Sequence, residues 1–338
     1  MLYSKSPGFL FRGDLRKNNP KMKKIFLFTS LLLIFSINNS FAQKDTCKIG
    51  MYVLSLSDFK IDDQSYKADF WIWFIYDNDS LEMKDAIEIM NAKSTEFSNF
   101  SIEKKGGKNW AQIKCKAVIS QSWDVTKFPF DKQNLFIKIE HTMLDADEVV
   151  FIADSQNSKI DSTFLLDDWD INSFQLKGMK RSYNTTFGDP VLHGSSVYPG
   201  VEAEIIITRS HSNGILVKML TGVYVAFSIA LLGFLIKPSL GDRLGLCVGG
   251  IFAAVGNKYI IESVVPSSTA NTLLDSIHNL TFVSILIMIA VTVLSLKWSD
   301  TEDKNMLLKS KRLDRISFAV LLIAFITANI ILISAAKS

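Results

Sequence analysis

The pattern of apolar and polar positions changes twice along the chain. Lys21, Lys23 and Lys24 precede an apolar run from Ile25 to Ile37, and Ser40-Phe41-Ala42 follows. A basic start, a short apolar core and a small-x-small triplet make up a secretory signal, with the mature chain starting at Gln43. The run is too short to span a bilayer, which opposes an uncleaved anchor. Met22 stands where such a signal begins, so residues 1–21 read as an over-extended start.

From Gln43 to His211 no apolar run is long enough to span a bilayer. Short stretches of β-branched and aromatic residues alternate with turn signals. Examples are Phe70 to Tyr76, followed by Asp77-Asn78-Asp79, then Asn134 to Glu140 and Val201 to Thr208. Repeated short strands at this spacing predict an all-β sandwich or barrel over residues 43–212. Asp85 to Ala92 reads as either a short helix or a loop.

Residues 213–338 follow a different pattern. Met219–Ile236, Asn279–Leu296 and Ile316–Ala336 are uncharged and apolar, each near the length a membrane helix needs. Between the first two lies Leu244–Asn257, uncharged but Gly-rich. Counting it as a span places the basic loop from Lys297 to Arg315 on the cytoplasmic side and the Lys/Arg-free loop from Ser263 to Ser276 outside. That satisfies the positive-inside rule, and three spans would violate it. A four-helix transmembrane bundle is therefore expected, with spans near 215–236, 244–263, 277–296 and 316–336.

A Gly-rich span must be buried in protein or face water. Two readings stand side by side. In one, Gly245-x-x-x-Gly249 is a seam for close helix packing. In the other, Asp242, Gly245, Gly249, Phe252, Gly256, Tyr259 and Ser263 form one helical stripe lining a pore. A ring of Phe252 would be an apolar gate that closes by dewetting, and a ring of Asp242 would favour cations. One helix per chain cannot enclose a pore, so the second reading demands an oligomer. Lys258 and Glu262 fall off the stripe and are spaced to pair with each other.

Composition narrows the function further. Of 338 residues 48% are hydrophobic, which excludes intrinsic disorder. The formal charge of +3 gives no support to nucleic-acid binding. It is the sum of +6 over residues 1–42, −7 over residues 43–212 and +4 over 213–338. An acidic outer region concentrates cations. Three cysteines are too few for a disulfide scaffold. Cys47 and Cys115 are candidates to pair in an oxidising compartment, with the connectivity open, and Cys247 reads as a packing residue. His141, His193, His211 and His278 lack metal-ligand spacing. His278 reads as an interfacial polar residue or a protonation site. With no phosphate loop, nucleophile elbow or HExxH motif, neither an enzyme nor a cofactor is expected.

The segment Trp123 to Gln133 contains Phe128-Pro129-Phe130-Asp131-Lys132-Gln133. This FPFD-x-Q run resembles the signature loop of pentameric ligand-gated ion channels, the Cys-loop receptor superfamily. Other features agree in order. Arg209 matches the arginine before the first membrane helix, and Asp242-Arg243 the charged pair opening the pore helix. Pro266 matches the closing proline, and Trp169 a strand-start tryptophan. The short last loop resembles prokaryotic members. There are departures. Gln121 and Leu135 stand where animal members have the loop cysteines. The first helix has no mid-helix proline, and Gly245 and Gly249 replace hydroxyl residues of the pore.

The resemblance implies a bacterial homopentamer in the inner membrane, each chain assembled with four identical subunits and set in membrane lipid, with the sandwich in the periplasm. It implies a ligand-gated ion channel, and the Asp242 ring and the acidic outer region point to cations as the conducted species. Phe128, Pro129, Phe130, Asp131, Arg209 and Pro266 would couple the sandwich to the helices. Without the resemblance, FPFD is an ordinary buried turn, and Asp131 and Arg209 are two solvated charges or an ion pair between the domains. Trp71 and Trp73 share one strand face and read first as sandwich core. The resemblance places them, with Tyr183 and Tyr198, around an intersubunit pocket for an unknown small ligand or ion. Aromatic boxes of that kind hold cationic amines. A non-conducting sensor of the same fold and a monomeric binding module are the alternatives.

Overall fold

The computed structural model describes residues 44–190, 194–264 and 271–337. The signal segment, His193 and Pro266 lie outside them.

Among the described residues, ten strands build two sheets. One sheet has the order β4 (Ala92–Lys105), β5 (Lys108–Ser120), β2 (Ser65–Tyr76), β1 (Asp45–Lys60), β7 (Val149–Ala153), with β8 (Lys159–Ile160) also pairing β1. The other runs β3 (Ile87–Ile89), β6 (Lys132–His141), β10 (Ser196–Arg209), β9 (Trp169–Tyr183). Their inner faces meet through alternate residues. Phe70, Ile72 and Phe74 of β2 and Ile113 of β5 pack in one core with Leu135 and Ile137 of β6 and Ile205 of β10. This is the expected all-β sandwich, with a period of two setting which residues are buried.

Three local expectations are corrected. Trp71 and Trp73 are not in the core. Both faces of β2 are apolar, and the face carrying Phe70, Ile72 and Phe74 is the buried one. Trp73 lies outside, flat over Gly50 of β1, where a Cβ would stand 2.1 Å from its ring, and its Nε1 donates to Asp154 Oδ2 at 3.2 Å. Second, Ile87–Ile89 forms a strand and not a helix or loop, because Ile87 and Ile89 both turn inward opposite His141 and Ile139. Third, Cys47 and Cys115 are free and buried. Cys47 pairs across β2 with Tyr76, and Cys115 pairs with Phe70 from the other side. With β2 between them they are about two strand spacings apart, ~10 Å, before that offset along the strand is added. A disulfide requires Cα atoms within about 7 Å.

Among the described residues four α-helices follow: α1 (Ser212–Leu232), continued by a 3-10 turn at Gly233–Leu235, α2 (Arg243–Val264), α3 (Leu273–Ser299) and α4 (Lys304–Lys337). All four are long and apolar enough to cross a membrane. A Thr272–Asp275 capping box starts α3. The helix α4 begins well before its apolar stretch. Its 34 residues extend for about 51 Å, so its basic first turns project past a hydrocarbon core of about 30 Å. Hydropathy marks the part of a helix that lipid selects, not the helix itself.

Candidate functional site

The FPFD loop sits between the sandwich and the helices. Val125 and Phe128 are buried in one cluster with Leu216 and Leu220 of α1 and Leu273, Leu274 and Ile277 of α3. The Leu273 N–H donates to the carbonyl of Thr126 at 3.1 Å, so the loop also satisfies an otherwise unpaired amide in the first turn of α3. From the other side, Lys337 near the end of α4 lies 4.9 Å from the Phe130 ring. Pro129 is buried beside Phe128.

The polar members of the motif organise the same loop. Arg209 donates from Nε to Asp131 Oδ1 at 2.8 Å and from Nη2 to Oδ2 at 3.2 Å. Its guanidinium stands 4.7 Å from the Phe128 ring centre and 4.2 Å from that of Trp169. Gln133 donates to Asp131 Oδ2 at 3.0 Å and to the Asp124 carbonyl at 2.7 Å, and accepts from the Asp124 N–H at 3.1 Å. The Asp131–Arg209 pair does not bridge sandwich and helix. Both residues belong to the sandwich, and the pair fixes the end of β10 three residues before α1. The Ser212 hydroxyl then donates to the Arg209 carbonyl at 2.8 Å. At the neck of the loop, Gln121 Nε2 donates to the Asn134 carbonyl at 3.1 Å.

A second grouping lies at the β9–β10 hairpin tip. Tyr183 and Tyr198 pack edge to face at 5.8 Å. Phe187 completes an aromatic triad, 5.3 Å from Tyr183 and 6.1 Å from Tyr198. The Tyr183 hydroxyl donates to Glu140 Oε1 at 2.9 Å. Burial, then the Glu140 hydrogen bond, pushes the Tyr183 phenol up to about 12. Burial holds the Glu140 carboxyl above its usual range, against the Tyr183 bond and Arg181, which lower it. Arg181 already lies 5.0 Å over the Tyr183 ring. Trp71 and Trp73 are on the other sheet, so a single chain does not bring all four predicted pocket residues together.

The third grouping is the outward face of α2 and the turn before it. Asp242, Gly245, Gly249, Phe252, Gly256, Tyr259 and Ser263 are all exposed, Phe252 at 72%. A Cβ added at Gly245, Gly249 or Gly256 would meet nothing within 4 Å. The opposite face, with Cys247, Gly250, Ala254 and Ile261, is buried. The close-packing glycine is thus Gly250, whose Cβ would stand 2.9 Å from the Ala226 carbonyl of α1. Within the chain, Gly245 and Gly249 form no packing seam. Lys258 reaches Glu262 at 3.7 Å, as its spacing predicts, and Asp275 of α3 at the same distance.

Sequence reasoning missed Phe187, Glu140 and Gln133 as members of these groupings. Phe187 is next to the Gly188 turn, and its aromatic type four residues past the end of β9 was the available signal. Glu140 alternates with the inward Leu135, Ile137 and Ile139 of β6, and that pattern alone does not show Tyr183 of β9 beside it. Among the described residues, no group of three or more His, Cys, Asp or Glu side chains could hold a metal ion.

No family model matches the chain. It is similar to the neuronal acetylcholine receptor subunit alpha-4 of Mus musculus, 24% identical over 179 residues, covering 52% of this chain and 27% of that protein. The same subunit of Rattus norvegicus is 24% identical over 180 residues, with the same coverage. Each match spans about a quarter of the relative's own length. This weak similarity supports a distant relationship to the Cys-loop receptor superfamily. The β-sandwich followed by four membrane-capable helices is consistent with the fold of that superfamily, and a multi-pass membrane protein is supported.

Proposed function

We propose that the chain is one subunit of a homopentameric, ligand-gated and cation-conducting channel. Its sandwich lies in the periplasm and its helices in a bacterial inner membrane. The observation that carries the reading is the seating of Phe128 among the first turns of α1 and α3, while α2 leaves Phe252 exposed on a face free of its neighbours. A signal reaching the sandwich then has a packed path to the helices, and five copies of the free face enclose a pore. Phe252 supplies the apolar gate, and Asp242 the charge that favours cations at the inner mouth. Pro266 belongs to the coupling segment by its position in the sequence.

The ligand reading rests on the triad of Tyr183, Phe187 and Tyr198. The electron-rich ring faces and the buried Glu140 suit a small organic cation. Trp71 and Trp73 of a neighbouring subunit would complete the pocket. Binding favours the open state to the extent that the cation binds that state better. The relatives, being acetylcholine receptor subunits by name, agree with this class of ligand. Mass measurement of the detergent-solubilised protein tests the assembly. Five subunits per particle are expected, and a monomer would overturn the pentamer.

A non-conducting sensor of the same fold is the second reading. The open glycines at 245 and 249, in place of pore hydroxyls, favour it.

A further inference from the structure

The membrane helices hold a buried charge pair that the reading above does not use. Arg243 opens α2 directly after Asp242, and its side chain is wholly buried. Nη1 donates to Asp314 Oδ2 and Nη2 to Asp314 Oδ1, both at 2.8 Å, a two-point fork onto α4. Nη1 also lies 3.4 Å from the Ser295 hydroxyl of α3. Ser295 is bonded in turn to Ser310, one turn before Asp314. The guanidinium is 5.8 Å from the Phe234 ring, in the turn that ends α1. The base of α2 is therefore pinned to the other three helical segments through one cation.

Packing alone does not call for this arrangement. Well-packed apolar residues often replace a buried ion pair at no cost in stability. The fork also leaves Arg243 Nε buried without a partner among the described residues. The pair does separate two neighbouring charges. Successive residues of a helix point about 100° apart. The Gly245 N–H bonds to the Asp242 carbonyl at 3.0 Å, so Asp242 already belongs to the first turn. Asp242 is exposed on the free face, while Arg243 points into the bundle.

We infer that Asp314 is a positioning residue for ion selectivity. It holds the Arg243 charge out of the aqueous mouth, so that Asp242 acts on permeant ions uncompensated. The inference rests on the channel reading and adds to it a determinant on α4, a helix with no place in the stripe. Without the Asp314 carboxylate the guanidinium loses its counter-charge, and its flexible stem lets the head move to water. Each subunit then presents a base beside its acid, and the mouth no longer favours cations.

The experiment is the reversal potential of bilayer currents under a potassium chloride gradient. Wild type reverses toward the potassium potential. Asp314→Asn moves the reversal toward zero, with the potassium-to-chloride permeability ratio falling several-fold. The apolar double replacement, Arg243→Met with Asp314→Leu, restores the wild-type reversal because no cation is set free. An unchanged reversal in Asp314→Asn overturns this inference alone, and so does a double variant that stays shifted. Should Asp314→Asn fail to assemble, Asp242→Asn decides, since its side chain is exposed. A non-selective channel supports a sequestered Arg243, and an anion-selective one shows its charge already at the mouth. A wild-type protein that passes no current removes the channel reading and this inference with it.

Discussion

Asp131 grips Arg209 with both carboxylate oxygens, and the guanidinium so held lies between the rings of Phe128 and Trp169. The side chains are 1% and 10% exposed. One ion pair thus fixes both the FPFD loop and the last residue of β10, two of the places where the sandwich meets the helices.

Removing one partner leaves the other charge buried and uncompensated. Arg209→Ala and Asp131→Ala are each expected to cost about 3–5 kcal/mol. The double variant should cost clearly less than their sum. Thermal unfolding of the purified protein in a double-mutant cycle measures this, and additive losses would contradict the pairing.

The glycines of α2 separate by face. Gly250→Ala forces a methyl against the Ala226 carbonyl and is expected to destabilise the bundle by about 1–3 kcal/mol. Gly249→Ala meets open space and should cost nothing, or stabilise the helix slightly. Melting temperatures of the two variants check the order, and a reversed order would place the packed face wrongly.

How much of this was legible in the sequence depends on the kind of signal. Short β-branched and aromatic runs between turn signals marked the strands of the sandwich, and the lysine and arginine count of the loops marked the Gly-rich span as real. The face of β2 that goes inward was not legible, because Trp71 and Trp73 are as apolar as Phe70 and Ile72. The packing glycine was not legible either, since Gly249 and Gly250 differ only by a rotation that their neighbours settle. The buried course of Arg243 was out of reach, because its partner Asp314 is 71 residues away and reads as one acid in a basic loop. FPFD-x-Q was readable as a motif, but the clamp made by Gln133 needed coordinates.

Glu140 sets a pH dependence. Burial raises its folded pKa above the ordinary 4.5, so the fold prefers the neutral carboxyl. Its stabilising contribution is therefore present below that ordinary value and is lost as pH rises through the raised one. Tyr183 and Arg181 favour the ionised form, and Glu88 across the strand pair opposes it. Wild type should lose stability relative to Glu140→Gln as pH rises through this window. Melting curves of both proteins at a series of pH values provide the test, and parallel pH profiles would show that Glu140 does not titrate there.

The thiols of Cys47 and Cys115 are buried, and burial raises each to about 12. Neither should react with a thiol reagent in the native protein, and both should react after unfolding. A reducing agent should leave the melting temperature unchanged. Mass spectrometry after alkylation reads the outcome, and a 47–115 disulfide would contradict the strand register.

The central claim is that five α2 faces enclose an ion path closed at Phe252. Single-channel recording of the purified protein in planar bilayers tests it most directly, with tetramethylammonium as the probe cation and Phe252→Ala alongside. Discrete currents are expected from wild type when the probe is added to the sandwich side, and a standing leak from Phe252→Ala without it. Silence from both proteins, with pentamers verified in the same preparation, would contradict it.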